Sequence, residues 1–257
     1  MTSVMQSPIQ MLWVDGPLSN LEQLSIASCI ANGHPVHLYT YGKVSNIVAG
    51  TIVMDARQVL SDDQRFTVDA GIGYGSLAPF SNRFRYKLLF ERGGIWCDTD
   101  VVLLKPLSFA AEMECFFATE YDAPEQGSDK LTVKATNCAM QIPPGNDLMR
   151  DCYDAAMTTN TEWGATGIKV LREQLGRHKL DQYLLRPNVI CPVPHWDIAK
   201  VLAGLFTLPA ESHAIHFYNE ILRRNFFDKN GTYDPHCIYE RLKTYYLGKT
   251  NSSNSCV

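Results

Sequence analysis

One continuous stretch of the sequence decides the fold: SNRFRYKLLFERGGIWCDTDVVLLKPL, residues 81–107. Its first part has the composition and spacing of a helix, and Gly93 and Gly94 end that helix because glycine tolerates the left-handed backbone beyond a helix terminus. The apolar run from Ile95 to Leu104 then predicts a buried strand. A helix that leads directly into a core strand is typical of an α/β fold.

The residues before this stretch repeat the alternation of strand and helix. The apolar segment Ile9 to Val14 predicts a first strand, and Val36 to Tyr41 predicts a second. Between them, Ser19 and Glu22 have the spacing of a capping box, which predicts the start of a helix. Residues 1–107 therefore predict a mostly parallel central sheet covered by helices.

Beyond Pro106 the alternation is less regular, and the pattern predicts short elements joined by longer loops. The tail from residue 248 is polar and is predicted to be disordered. Strands are expected at residues 115–119, 138–142 and 214–218, and helices at residues 147–157, 168–175, 197–206 and 235–247.

The composition excludes several classes of function. The chain has 257 residues, 46% of them hydrophobic, and a formal net charge of -4. This length suffices for a substantial core, and the negative charge argues against a general nucleic-acid binder. No apolar run approaches the ~20 residues of a membrane span, and the N-terminus has no signal-peptide pattern. We therefore expect a cytoplasmic protein.

The cysteines also bear on the cellular compartment. The sequence contains 8 cysteines, which are scattered and form no CxxC pair. In a chain long enough to be stabilised by its core, this pattern predicts reduced, buried thiols rather than a disulfide scaffold.

Two aspartates and one arginine carry the chemistry of the deciding stretch. A helix turns by about 100° per residue, so Arg85 falls between two leucines on the core side, where a guanidinium requires an anion. Asp98 and Asp100 are expected on one face of the strand because strand periodicity is two. Neighbouring carboxylates repel unless a cation holds both ionised, and their oxygens favour Mg²⁺ or Mn²⁺, which recruit phosphate oxygens.

The ordinary alternative is that an Asp-X-Asp triplet ends a strand at the protein surface, since short motifs without context are weak signals. Here the double glycine, the inward Arg85 and the hydrophobic strand surround the triplet at fixed spacing. This context favours a site for a metal ion and a diphosphate.

These residues resemble the Asp-X-Asp sugar-binding region of glycosyltransferase family 32, which includes yeast mannosyltransferases and lactosylceramide galactosyltransferases. They are similar, more distantly, to glucosylating clostridial toxins. The family pattern is matched by Ser81–Asn82, Arg85, Gly93–Gly94 and Asp98–Asp100, with an asparagine where the family commonly has an aspartate. The strand that ends at Trp13 resembles the opening of the family.

The resemblance implies a GT-A fold, a Rossmann-like nucleotide-binding domain with a mostly parallel sheet and an acceptor-side portion. We expect one domain over residues 1–247, with a nucleotide-sugar half at 1–107, an acceptor-side half at 108–247 and a disordered tail at 248–257. The implied reaction is the metal-dependent, retaining transfer of a hexose from a nucleotide sugar, with UDP favoured. The implied acceptor is a glycan or glycolipid hydroxyl in surface polysaccharide or lipopolysaccharide synthesis.

The resemblance also implies roles for individual residues in donor binding, metal binding and catalysis. The expected donor-binding residues, with the aromatic ones near the nucleobase, are Trp13, Tyr39, Tyr41, Asn82, Arg85 and Asp98. The expected ligands of Mn²⁺ or Mg²⁺ are Asp98, Asp100 and His216, and the expected catalytic residues are Asp98, Asp100 and Arg85.

Three further segments resemble this or related families less specifically, and Asn137 is a candidate contact on the acceptor side. Gly164–Gly167 precede a helix, Asn137 precedes a strand, and Asn219 follows His216. Asp181–Gln182 resemble an acidic-amide pair that lies beneath the transferred sugar in other retaining glycosyltransferases. Each segment also has an ordinary structural interpretation as a surface loop, a packed strand or a structural histidine.

Two other functions would use the same residues: a metal-dependent phosphoesterase and a non-catalytic sugar-nucleotide-binding subunit. The expected partners are a nucleotide sugar and a glycan or lipid-linked glycan acceptor, with no nucleic acid. The aromatic and basic stretch 239–249 allows weak peripheral contact with the inner face of a membrane, although a packed terminal helix is the simpler interpretation. The sequence leaves the donor sugar, the linkage and the oligomeric state open.

Overall fold

The structure, a computed structural model, describes residues 6–123, 131–158 and 164–252. Strands and helices alternate at first and become less regular later. The strands are β1 (Ile9–Leu12), β2 (Gly16–Pro17), β3 (Val36–Thr40), β4 (Val44–Ser45), β5 (Thr51–Asp55), β6 (Gly94–Cys97), β7 (Val101–Leu103), β8 (Phe116–Asp122), β9 (Thr132–Ile142) and β10 (Ala214–His216). The helices are α1 (Asn20–Ala31), α2 (Ala78–Arg92), α3 (Asp147–Thr158), α4 (Ile168–His178), α5 (Pro187–Ile190), α6 (Ile198–Leu202), α7 (Asn219–Arg224) and α8 (Ile238–Ser252).

A six-stranded sheet in the order β5-β3-β1-β6-β9-β8 forms the centre of the molecule. Its first four strands are parallel, whereas β9 runs antiparallel to β6 and β8 runs antiparallel to β9. The predicted α/β class with a mostly parallel central sheet is confirmed. Because β1 and β6 are parallel neighbours, their carboxyl ends open on the same edge of the sheet.

The capping box predicted before α1 is present, and the helix positions the strand that follows the aspartates. The Ser19 hydroxyl accepts a hydrogen bond from the Leu21 amide, and the Glu22 carboxylate accepts one from the Ser19 amide. Ser25 Oγ donates to the Val101 carbonyl at 2.6 Å, and the Leu103 amide donates to Ser28 Oγ at 2.8 Å. Two small polar residues of α1 thereby fix β7.

The turn between α2 and β6 depends on Gly93. Its φ of 61° is a conformation that glycine adopts without strain, and an added Cβ would lie 2.4 Å from the Pro144 backbone nitrogen. The chain can therefore reverse sharply and enter the sheet beside β1. The helix begins at Ala78, three residues before the predicted start at Ser81.

The single strand predicted from Ile95 to Leu104 is wrong. The chain forms β6, turns through Asp98–Asp100, and continues as β7 in a different sheet, where it pairs antiparallel with β10. Apolar residues on both sides of the triplet gave one continuous pattern, and a change of sheet leaves no local signal.

The last helix continues further than the sequence pattern indicates. α8 extends to Ser252, so residues 248–252, predicted to be disordered, are helical; residues 253–257 lie outside the described part of the chain. One glycine costs a helix only about 1 kcal/mol. Tyr246 anchors the preceding turn, because its buried hydroxyl donates to the Leu103 carbonyl at 2.9 Å. Peripheral membrane contact through this helix stays a prediction.

Two composition-based expectations can be compared with the structure. The cysteines of the described residues are all buried and free, as predicted: Cys29, Cys97, Cys115, Cys138, Cys152, Cys191 and Cys237. Among the helices of the described ranges, none has the length and apolar content needed to cross a membrane.

Candidate active site

The acidic triplet lies at the carboxyl edge shared by β1 and β6. Ile9 is opposite Ile95 in this parallel pair, so Trp13 and Asp98 follow their strands at the same edge. The expectation that Asp98 and Asp100 share one strand face is wrong, because residues 98–100 form a turn. The turn nevertheless brings both carboxylates close to His216, and ligand atoms of the three residues lie within 4.8 Å of one another.

Asp100 is fixed by the second half of the chain. The pairing of β7 with β10 places His216 opposite Val101, and His216 Nε2 lies 3.4 Å from Asp100 Oδ1. The Asn219 backbone amide donates to Asp100 Oδ2 at 2.6 Å, and the Phe217 amide donates to the Asp100 carbonyl at 2.9 Å. Asp100 is therefore held by neighbours more than a hundred residues away.

The charges in this cluster support one another. Burial acts to raise the pKa of Asp100, but His216 and the Asn219 amide outweigh burial and hold that pKa below its usual range. Burial acts to lower the pKa of His216, but Asp100 and Cys138 raise it well above its usual range. Burial also raises the pKa of Asp98, against the opposing effect of Arg85. The cluster thus stabilises positive charge beside Asp100.

Arg85 is buried on the core side of α2, as predicted, and the anion that it meets is Asp98. Arg85 Nη2 lies 2.9 Å from Asp98 Oδ1, and the guanidinium also bonds the Asn137 carbonyl and lies 4.8 Å from the Trp96 ring centre. The Trp96 indole donates to Asp98 Oδ1 at 2.8 Å. The Arg85 side chain is 5% exposed, whereas that of Asp98 is 25% exposed, so Asp98 keeps an open side.

Trp96 is a partner of Asp98 that was not predicted from the sequence. Its position two residues before the acid was the available signal, because strand alternation places such residues on one face.

A second group of hydrogen bonds joins α2 to the loop before α4. Asn82 Nδ2 donates to Thr166 Oγ1 at 3.1 Å, and Asn137 Nδ2 donates to Asn82 Oδ1 at 2.9 Å. The Tyr86 hydroxyl donates to the Gly167 carbonyl at 3.0 Å and accepts from Asn137 at 3.2 Å. Asn82, Asn137 and the glycine turn, which were named separately from the sequence, are therefore in direct contact.

The three aromatic residues expected near a nucleobase differ in exposure. Trp13 is half-buried, and Lys229 Nζ lies 5.3 Å from its ring centre. Tyr39 and Tyr41 are 1% and 4% exposed. The Tyr39 hydroxyl donates to Gln10 Oε1 at 3.2 Å and the Tyr41 hydroxyl donates to the Leu60 carbonyl at 2.7 Å. The rings of both tyrosines are core residues, so neither offers an exposed face for a nucleobase.

The remaining candidates have structural or backbone roles. Asp181 and Gln182 are exposed and begin a short 3-10 turn, as the surface-loop interpretation expects. Asn219 contributes its backbone amide to Asp100.

Residues 19–117 match the family model described as a glycosyltransferase sugar-binding region containing DXD motif. The chain carries a glycosyltransferase region. The match includes Asn82, Arg85, Asp98 and Asp100, and it confirms the family resemblance predicted from the sequence. No curated protein is significantly similar to the chain.

Several solved glycosyltransferase structures are similar to this chain at low identity. PaToxG Glycosyltransferase is 14% identical over 69% of this chain and 72% of its own, with a TM-score of 0.46. GlyE of Streptococcus pneumoniae TIGR4 is 12% identical over 95% of this chain and 65% of its own, with a TM-score of 0.45. The bifunctional WbbM is 10% identical over 96% of this chain and 53% of its own, with a TM-score of 0.48. The chain thus spans about half the length of the WbbM structure, and these identities are too low to transfer a donor or an acceptor.

Proposed function

We propose that this chain is a metal-dependent glycosyltransferase that moves a hexose from a UDP-sugar to a hydroxyl group of a glycan or glycolipid, with retention of configuration. The observation that carries the proposal is the convergence of Asp98, Asp100 and His216 within 4.8 Å, at the edge of a region that matches a DXD-containing glycosyltransferase family. Surface polysaccharide or lipopolysaccharide synthesis is the proposed setting.

The residues present fit a divalent ion of the manganese or magnesium class. Carboxylate oxygens suit both ions, and a neutral imidazole nitrogen favours Mn²⁺. Asp98, Asp100 and His216 would hold the ion, which would supply positive charge beside the departing diphosphate. The 25% exposure of the Asp98 side chain leaves room for donor oxygens.

The protein groups around these ligands are positioned before any donor binds. Asp100 is fixed by the Asn219 amide, and Asp98 is fixed by Arg85 and the Trp96 indole. Dipoles and charges that are already oriented stabilise developing charge without reorganisation during the reaction. Arg85 therefore acts on the donor chiefly through the orientation of Asp98.

The proposed retention of configuration requires few catalytic groups from the protein. In a same-face displacement the leaving phosphate oxygen accepts the proton of the acceptor hydroxyl, so the reaction needs no dedicated protein base. Among the aromatic candidates, Trp13 is the proposed nucleobase contact, because its partly exposed ring lies at the edge that carries Asp98.

The experiment is a transfer assay with radiolabelled UDP-, GDP- and CMP-sugars, with and without Mn²⁺. We expect UDP-sugar turnover that requires Mn²⁺ and is lost in Asp98→Ala and Asp100→Ala. The matched control is Asp154→Ala, which removes an exposed carboxylate on α3 and should retain wild-type turnover. Unchanged turnover in both site variants would contradict the proposal.

The same assay separates the two other functions. Release of free phosphate or nucleoside monophosphate without glycoside formation would indicate a phosphoesterase. UDP binding that is independent of Mn²⁺, together with no turnover on any acceptor, would indicate a non-catalytic binding subunit.

A further inference from the structure

The imidazole of His216 has a second side that the proposed reaction does not use. Its Nε2 atom faces Asp100, whereas its Nδ1 atom lies 4.0 Å from Cys191 Sγ. Cys191 Sγ lies 3.4 Å from Cys138 Sγ. Ligand atoms of Cys138, Cys191 and His216 all lie within 4.8 Å of one another, and the three residues are 1%, 0% and 8% exposed.

We propose that Cys138, Cys191 and His216 Nδ1 form a second binding site, for a thiophilic divalent ion of the zinc class, which shares His216 with the carboxylate site. Thiolate sulfur and imidazole nitrogen are the ligands that Zn²⁺ prefers, whereas Mn²⁺ and Mg²⁺ prefer oxygen. A tetrahedral ion with bonds of about 2.1 to 2.3 Å separates its ligands by roughly 3.5 to 3.8 Å. The two measured separations, 3.4 Å and 4.0 Å, lie close to this range.

The charge of the site suits its burial. Binding requires each of the two thiols to release a proton, and the two resulting thiolates neutralise a divalent cation. A net neutral group avoids the large cost of placing an unpaired charge in a protein core.

The partner of His216 on the other side strengthens the assignment. An imidazole that binds a metal through one nitrogen commonly donates its other N–H to a carboxylate, which fixes the tautomer and orients the ring. Asp100 Oδ1 lies 3.4 Å from Nε2 and would accept that proton. Cys138 lies in β9, Cys191 follows α5 and His216 ends β10, so three separate elements supply the ligands.

The shared imidazole couples the two sites. When Nδ1 binds a zinc-class ion and Nε2 keeps its proton toward Asp100, His216 is withdrawn from the carboxylate site. Zinc-class ions should then weaken Mn²⁺ binding at Asp98 and Asp100.

The test is a titration of the reduced, chelator-treated full chain with Cd²⁺, followed by the ultraviolet band of cadmium-bound thiolate and by proton release. We expect the band and the release of protons in the wild type and in Cys152→Ala, which removes a buried thiol in another part of the core. We expect Cys138→Ala and Cys191→Ala to weaken binding by at least about 10-fold. A band of wild-type strength and affinity in both variants would overturn the proposal.

Two further measurements keep the result independent of variant folding and of the proposed reaction. X-ray absorption at the zinc edge of the unmodified protein should show mixed sulfur and nitrogen ligands, and ligation by oxygen alone would overturn the proposal. The double variant Asp98→Asn/Asp100→Asn should lose Mn²⁺-dependent transfer and keep the cadmium band. A fall in cadmium affinity in that variant as large as the fall in Cys138→Ala would show that thiolate binding requires the carboxylates, and would overturn the proposal of a second ion site.

Discussion

The two halves of the chain contribute to one site in different ways. The first half supplies Arg85, Asp98 and Asp100 from the short contiguous segment that forms α2, β6 and the turn before β7. The second half supplies His216 and the Asn219 amide from the end of a small antiparallel pair. Both acids and the partners of Asp98 are therefore local in the sequence, whereas the groups that hold Asp100 depend on long-range packing.

The largest expected effect comes from removing one proposed ligand from each half. Asp100→Asn and His216→Gln should each lower kcat/KM for glycosyl transfer by about 10²- to 10³-fold, the loss typical of removing one preorganised electrostatic group. Initial rates at saturating Mn²⁺ measure both. Wild-type rates in His216→Gln alone would show that the His216 side chain is not part of the site.

The next effect tests the ion pair within the first half. Arg85→Met should lower the free energy of unfolding by about 2 to 3 kcal/mol, less than a fully buried pair because Asp98 is partly exposed. Urea denaturation measures the change. The double variant with Asp98→Asn should recover part of the loss, since it removes the uncompensated carboxylate.

The control for this prediction is an exposed ion pair in the second half. Arg177 and Glu173 form an i,i+4 pair on α4 with both side chains more than half exposed. Arg177→Met should change the stability by less than about 0.5 kcal/mol. Equal losses of stability in Arg85→Met and Arg177→Met would show that burial does not strengthen the Arg85–Asp98 ion pair.

A smaller effect tests the contact between Asn82 in the first half and Gly167 in the second, with the same substitution at Gly167 and at Gly176. A Cβ at Gly167 would lie 2.8 Å from Asn82 Nδ2, so Gly167→Ala should displace that amide and cost about 1 to 2 kcal/mol. A Cβ at Gly176, inside α4, meets nothing within 4 Å, and Gly176→Ala should stabilise the protein by about 0.5 to 1 kcal/mol. Thermal denaturation measures the change in stability of each variant. A change in the same direction for both variants would contradict the packing described for Asn82.

The smallest expected effect is a pH dependence at a contact that joins the loop after α1 to the loop after β7. His34 Nδ1 lies 2.9 Å from the Ser7 carbonyl, and the Leu107 amide donates to Nε2 at 3.1 Å, so the ring is neutral in the folded state. Burial lowers the pKa of His34, against the opposing effect of the Ser7 carbonyl. Because the folded pKa lies below the unfolded one, this contribution to stability is complete at neutral pH and is lost as pH falls below about 6.5.

The measurement is the slope of unfolding free energy against pH on the acid side. His34→Gln should flatten that slope relative to the wild type, whereas His236→Gln, at an exposed position, should leave it unchanged. Parallel slopes for wild type and His34→Gln would contradict the assignment.

Much of the first half follows from local sequence rules. The capping box at Ser19 and the reversal at Gly93 act within a few residues, so a pattern of residue types suffices to predict them. The inward side of Arg85 follows from helix periodicity alone. The division of the apolar run at Asp98–Asp100 could not be predicted, because pairing of β7 with a strand more than a hundred residues later decides it.

Less of the candidate site than of the fold could be predicted from the sequence. The burial of Tyr39 and Tyr41 could not be predicted, because an aromatic residue at a strand end can pack in a core or contact a ligand, and only the packing decides between them. His216 was named through family resemblance, since a lone histidine carries no signal of its partner. The thiols of Cys138 and Cys191 lie 53 residues apart, and their proximity depends on how α5 is placed against β8.

The most direct test of the central claim is the crystal structure of the protein with UDP and Mn²⁺, with the metal located by its anomalous signal. The account predicts an ion bonded to Asp100 together with Asp98 or His216, and a diphosphate bound to that ion. An anomalous peak away from these residues, with the diphosphate elsewhere, would contradict it.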